Sequence, residues 1–209
     1  MEGTALESER FKVRGLTRLS AEYPRRLLSS KSLYREDLCV VGDVRLLNES
    51  AIGVVSSRRI PGRLVREAHD WAVSMKLSRR VIAGGFHSPM ERECLNLVLS
   101  GLTRVIVCPA RGIGRMRIPA EWKPLLESQR LTIVSGIERT LRRSTEALAA
   151  RRNALVASLA DVVLVVHASP GGATERLARE IVAHGKRLVT IGGPENDRLI
   201  RLGAEIWDW

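Results

Sequence analysis

Lysine is scarce in this chain, although positive charge is not. Only Lys12, Lys31, Lys76, Lys123 and Lys186 are lysines among 34 basic residues, and the formal net charge is +11. Cysteine is scarcer still. Cys39, Cys94 and Cys108 show no CxxC spacing, which excludes a disulfide framework and leaves no ligand set for a metal; no cofactor is expected. Trp71, Trp122, Trp207 and Trp209 are scattered without a period, and Phe occurs only twice. No apolar run approaches the roughly 18 residues that a membrane span requires. Met1 to Arg10 lack the basic-then-apolar order of a secretory signal. The reading is a cytoplasmic protein with reduced, mostly buried thiols and no membrane partner.

With 209 residues and a hydrophobic fraction of 44%, the chain can bury a core as one large domain with a short extension. The preference for Arg over Lys matters because a planar guanidinium makes paired hydrogen bonds to phosphate. A strong positive field also speeds association with polyanions. A genome that simply favours arginine would give the same count, so charge alone names no partner.

Residues 1–37 are polar and Arg-rich, broken at Tyr23-Pro24, and read as an irregular or partly helical N-terminal extension. From residue 38 to 209 a regular alternation sets in. Apolar runs at 38–41, 51–55, 81–83, 105–108, 131–134, 162–166 and 187–191 predict strands, with a short edge strand at 204–207. Helical patterns separate them: a stripe of Leu64, Val65, Ala68, Trp71, Ala72 and Met75; a capped start at Ser88-Pro89-Met90-Glu91; a short helix over 119–128; a long one from Arg142 to Leu159; and one over 173–184. Strands that are apolar without alternation are covered on both faces. The expected fold is therefore α/β, a doubly wound, mostly parallel Rossmann-like sheet.

Ligands of such a sheet bind at the carboxyl ends of its strands, and four segments there carry candidate chemistry. Ser56, Ser57 and Arg58 follow the first core strand, where hydroxyls, turn N–H groups and a guanidinium can hold a phosphate. Gly84 and Gly85 lead through Phe86 and His87 into a helix N-terminus; glycine permits close approach, and Phe86 offers a face for a base or a side chain for the core. Arg111-Gly112-Ile113-Gly114-Arg115-Met116-Arg117 reads as a mobile basic loop, a backbone contact or a lid. Arg152 and Asn153 lie on a helix placed opposite the turn Gly171-Gly172, which opens the next helix at Thr174. The bland alternatives are ordinary turns and solvated arginines. Glu91 is most simply a capping residue, and His167 a strand-end residue that lines the site or is merely satisfied within the fold. No Ser-His-Asp or Cys-His arrangement is present, so no catalytic residue is assigned.

Taken together, several of these segments resemble the DprA/Smf family of DNA-processing proteins, within a wider Rossmann-like group that includes the LOG phosphoribohydrolases. Tyr23-Pro24-Arg25-Arg26-Leu27, Leu33-Tyr34 and Gly42-Asp43 with Leu46-Leu47 are similar to that family's lead-in. Ile52-Gly53-Val54-Val55-Ser56-Ser57-Arg58 resembles its "IVGSR" turn. Gly84-Gly85-Phe86-His87 with Glu91 stands where the family has a glycine-rich helix start. Arg152-Asn153 through Asp161 to Gly171-Gly172 resembles its "RNR…LSD…SGG" region. The departures are Ser56 for the usual glycine, a second loop without "SGLARGID" wording, and Ala154 as the third residue of "RNR". Neither the family's small helical domain before the core nor its winged helix after it is expected.

The resemblance implies non-enzymatic binding of single-stranded DNA in DNA processing or recombination, a homodimer, and a recombinase partner. Two alternatives stay open: a sensor of a free nucleotide, and a LOG-like enzyme that cleaves nucleoside monophosphates. Pro170-Gly171-Gly172-Ala173-Thr174-Glu175 is similar to the LOG "PGGxGTxxE" motif, and Arg152 to its upstream Arg. Here, however, Thr174 comes one residue early and Glu175 is off the catalytic spacing.

Overall fold

A computed structural model describes residues 11–208. Its sheet has nine strands: β1 (Arg14–Leu16), β2 (Leu38–Gly42), β3 (Ala51–Val55), β4 (Val81–Gly84), β5 (Val105–Val107), β6 (Leu131–Ser135), β7 (Val162–Val165), β8 (Arg187–Thr190) and β9 (Glu205–Ile206). Among the described residues seven α-helices accompany them: α1 (Arg25–Leu28), α2 (Gly62–Ser74), α3 (Pro89–Leu99), α4 (Lys123–Glu127), α5 (Glu146–Leu159), α6 (Ala173–Ala183) and α7 (Asp197–Arg201). The spatial order is β1-β2-β6-β5-β4-β3-β7-β8-β9. Pairing is parallel from β6 across to β9, while β1 and β2 add antiparallel at the other edge. This is the expected Rossmann-like α/β sheet.

The central strands are buried along their whole length, because helices cover both faces. One core lies under α5 and α6 and includes Leu155, Val156, Leu159, Leu177 and Ile181. The other lies under α2 and α3 and includes Leu64, Trp71, Cys94 and Val98. Trp71 is fully buried and meets Trp207 edge to face at 6.1 Å. Gly53 on β3 stands where an added Cβ would lie 3.0 Å from the Ala160 Cβ, so α5 packs closely on that strand. Among the described residues no helix is long and apolar enough to cross a membrane.

Three local expectations change. The described part of the polar segment 1–37 supplies the edge strand β1, the one-turn helix α1, and Leu16, Tyr23, Leu27 and Tyr34 to the same core as residues beyond 38. Tyr23 and Tyr34 donate their hydroxyls to the carbonyls of Glu36 and Gly136, at 2.7 Å each. Four large side chains dispersed among charges bury well but show no period. Second, the long helix starts at Glu146, not Arg142. Thr145 caps it by accepting from the Leu148 N–H at 3.2 Å, and the preceding chain is drawn to the β5 loop, where the Gly112 N–H donates to the Leu141 carbonyl at 2.7 Å. Third, 119–128 divides into a 3-10 turn (Ala120–Trp122) and α4. Pro119 and Pro124 fit the first turns of these two pieces.

Candidate nucleic-acid interface

The strand order reverses between β3 and β7: from β3 the chain moves outward through β4, β5 and β6, then returns to β3's other side as β7. In sheets of this kind such a reversal marks a crevice at the carboxyl ends of the two strands. Their turns are joined by hydrogen bonds. The Ser57 N–H donates to the His167 carbonyl at 2.9 Å, and the Ser169 N–H to the Ser57 Oγ at 2.8 Å. Arg58 and Arg59 project from this joined base and are exposed, with no side-chain partner among the described residues. His167 is buried and oriented by Asn196, whose amide N–H groups already serve the carbonyls of Val166 and Ile191. The Asn196 Oδ1 must therefore accept from His167 Nδ1 at 3.1 Å, which leaves the His167 Nε2 as the ring's remaining nitrogen.

Across the crevice Gly171 adopts φ +68, and its N–H donates to the Glu175 carboxylate at 2.7 Å. Gly172 caps α6, and Thr174 is buried in its first turn. Glu175 also pairs with Arg179. The Gly171 N–H first, and then Arg179, hold its carboxyl below the usual carboxylate range. Both its oxygens are thus engaged within the fold.

The β4 loop is built around two buried charges. The Ser88 hydroxyl accepts from the Glu91 N–H at 3.2 Å, and the Glu91 Oε2 accepts from the Ser88 N–H at 3.1 Å, so the predicted capping box is present. Glu91 does more than cap. Its Oε2 also accepts from the His87 N–H at 3.1 Å, and its Oε1 from the Ser56 N–H at 3.2 Å, tying the β4 loop to the β3 loop. Burial pushes this carboxyl up, but the His87 hydrogen bond and charge, the Ser88 N–H and the Arg152 charge outweigh burial and leave it lowered.

Arg152 lies beneath Gly85, not against Gly171-Gly172 as the sequence suggested. A Cβ on Gly85 would fall 1.5 Å from the Arg152 Nη1, so the guanidinium occupies the volume a side chain there would take. Its Nη2 lies 3.1 Å from the His87 Nδ1, which also lies 3.0 Å from the Glu91 Oε2. That nitrogen carries at most one proton: it donates to Glu91 or accepts from Arg152, not both. Phe86 turns its ring over Gly84 and joins the core, with its backbone at φ +48. A core role, not a stacking face, is what the structure assigns it. Asn153 is half-buried on α5 and its side chain makes no hydrogen bond among the described residues.

The DNA recombination-mediator protein A family model matches residues 14–206. The chain belongs to that family. Its fold is similar to DNA processing protein A (DprA) from Streptococcus pneumoniae, with 19% identity over 99% of this chain and 75% of that one and a TM-score of 0.76. It is also similar to DNA processing protein A from Helicobacter pylori, a structure concerned with that protein's single-stranded DNA binding mode: 19% identity, 94% of this chain, 91% of that one, TM-score 0.71. A more distant likeness is the molybdenum cofactor carrier protein of Chlamydomonas reinhardtii, with 14% identity over 77% of this chain and 91% of that one and a TM-score of 0.52. No curated protein matches.

Within this family member the loops after β5 and β6 are bonded to each other. Arg111 is exposed, but its carbonyl accepts from the Ser135 Oγ at 2.8 Å, and the Gly114 N–H donates to the Arg139 carbonyl at 3.1 Å. Gly112 and Gly114 leave no room for a Cβ against the 138–139 backbone. The segment read as a mobile basic loop, a backbone contact or a lid is thus pinned to its neighbour over residues 111–114. Beside it is a cleft of about 1000 Å³ with an apolar floor including Val41, Ile113, Met116 and Ile118 and a rim including Lys12, Arg115, Arg117 and Arg139. Arg142 and Arg143 are exposed in the loop before α5, so they share no helix with Arg151 and Arg152.

Sequence reasoning undervalued Glu91 and His167. The S-x-x-E pattern pointed to a cap, but no local signal announces a bond to Ser56, 35 positions away.

Proposed function

We propose that this protein binds single-stranded DNA without catalysis, through phosphate contacts at the carboxyl edge of its sheet. The observation that carries the reading is at the β3–β7 strand ends, where exposed Arg58 and Arg59 rise from a hydrogen-bonded base formed by Ser57, His167 and Ser169. Family membership and a net charge of +11 support it. Arg58 supplies the fork that holds a phosphate. Gly171 and Gly172 let the backbone approach. Arg111, with Arg115 and Arg117, extends the positive edge toward β6. The proposed residues Ser56, Gly84, Gly85, His87 and Arg152 form the inner wall, with Asn153 and Thr174 on the helices behind it.

Such contacts are sequence-tolerant and strongly salt-dependent. The test is fluorescence anisotropy of a labelled oligothymidylate across a salt series, with Arg58→Ala beside the parent. The variant is expected to bind more weakly, with a log K against log salt slope shallower by about 1. Binding that the variant keeps at every salt concentration would place the strand elsewhere. The homodimer and a recombinase partner follow from the family reading; light scattering on the eluting protein reads the first, and co-elution with a purified recombinase the second. A nucleotide sensor would instead bind one mononucleotide with saturable one-to-one stoichiometry and show no dependence on oligonucleotide length. A LOG-like hydrolase would release free base and lose that activity in Glu175→Ala.

A further inference from the structure

The candidate interface already holds an anion, and the anion belongs to the protein. Glu91 is 2% exposed and accepts from three backbone N–H groups: Ser56, His87 and Ser88. A capping box accounts for one of them. The other two come from the loop ahead of the helix and from a different strand's turn. Several backbone N–H groups converging on one point at a helix N-terminus form an arrangement that holds phosphate.

The same place has more donors than Glu91 uses. Arg152 is 3% exposed, and its Nε and Nη1 have no hydrogen-bond partner among the described residues; the Ser56 Oγ is buried and also unpartnered. Glu91 and Arg152 feel each other's charge but form no direct ion pair. Buried donors left empty carry a desolvation cost that a suitable acceptor removes. A carboxylate has two oxygens to offer, and both are spent on backbone N–H groups. A terminal phosphate has three strong acceptor oxygens, and a bridging phosphodiester has two with a full negative charge shared between them.

We propose that Glu91 is the internal occupant of a phosphate-binding nest, and that a phosphate group of the ligand takes its place on the N–H groups of Ser56, His87 and Ser88 and on Arg152. The proposal rests on the reading of this edge as a phosphate binder and names the device inside it. Exchange requires the 85–87 turn to lift from Arg152. Phe86, at φ +48, makes that turn the least relaxed part of the wall. The phosphate is either a backbone phosphodiester or a free phosphate, since both present the same oxygens.

The experiment uses Glu91→Gln, which keeps the shape and removes the charge, with two probes: labelled oligothymidylate by anisotropy and inorganic phosphate by calorimetry. Removing the internal competitor is expected to tighten binding about tenfold. A gain for the oligonucleotide alone assigns the nest to phosphodiester, and a gain for inorganic phosphate alone assigns it to free phosphate. A folded Glu91→Gln protein with unchanged or weaker affinity for both probes overturns the proposal. If the variant does not fold, an amide nitrogen–proton correlation spectrum of the parent decides. The Ser56, His87 and Ser88 resonances must move as either probe is added, and resonances unmoved at saturation overturn it. An oligothymidylate affinity that Arg58→Ala lowers, with neither probe's affinity raised by Glu91→Gln, removes the internal occupant alone. A parent with no affinity for either probe removes the interface reading with it.

Discussion

Replacing Gly85 by Ala tests the packing of the inner wall directly. The new Cβ would lie 1.5 Å from the Arg152 Nη1, 2.2 Å from its Cζ and 2.7 Å from its Nε, all far inside contact distance. The guanidinium is the end of a flexible side chain, but it is buried, so it must shift within packed surroundings to make room. Overpacking of this kind costs about 1–3 kcal/mol. The expected loss is about 1–3 kcal/mol, measurable by urea denaturation against a total stability on the order of 5–15 kcal/mol. The diagnostic step is the second mutation. In an Arg152→Ala background the clash has no partner, so Gly85→Ala should cost less than about 1 kcal/mol, a coupling of about 2 kcal/mol in the cycle. Gly62, where a Cβ meets nothing within 4 Å, is the control, and Gly62→Ala should lie within about 1 kcal/mol of the parent. Costs that add in the double variant to within roughly 0.5 kcal/mol would refute the contact between Gly85 and Arg152.

Three further outcomes are expected. Burial pushes the Cys94 and Cys108 thiols up to about 12, so a thiol reagent at mildly alkaline pH should modify half-buried Cys39 first and reach the other two only on unfolding; early labelling of Cys108 would contradict the packing under β5. Burial, with Arg26 adding and Asp161 opposing, lowers the Lys186 amine to about 8 from 10.5. Its charging penalty is fully present below about pH 8. As pH rises from there toward 10.5 the folded state sheds the proton before the unfolded state does, and stability increases. The parent should therefore gain stability relative to Lys186→Met across that window, and parallel pH profiles would count against the burial of this amine. Gly171→Ala adds a Cβ into open space at φ +68, so its cost should be backbone strain alone, about 1–2 kcal/mol, and a denaturation midpoint equal to the parent's would show that the turn relaxes freely.

Much of the framework was legible in the residues themselves. The runs that became β3 to β8 are apolar without alternation, and a strand covered on both faces has no other way to satisfy its side chains. Ser88, Pro89 and Glu91 announced a helix start because capping depends only on neighbours within one turn. The candidate phosphate-binding residues were placed in loops at strand ends because the strand–helix alternation alone locates the carboxyl edge. By contrast β1, with three residues and one buried side chain, carries too little pattern to read. The start of α5 was misplaced by four residues because the Arg142-Arg143 pair is compatible with a helix, whereas the Thr145 cap and the pull of the β5 loop on Leu141 exclude it.

Local pattern, then, determined the α/β class, the alternation and the loops in which chemistry would sit, because periodicity and capping are short-range. The tertiary structure decided what those loops do to one another. It put Arg152 under Gly85 and not beside Gly171. It aimed Glu91 at Ser56 as well as at its own cap, and it joined Ser57 to His167 and Ser169. Each of these contacts spans from 35 to more than 100 positions of sequence. Each exists only because parallel pairing brings β4 and β7 to either side of β3, a closeness that no local residue pattern encodes.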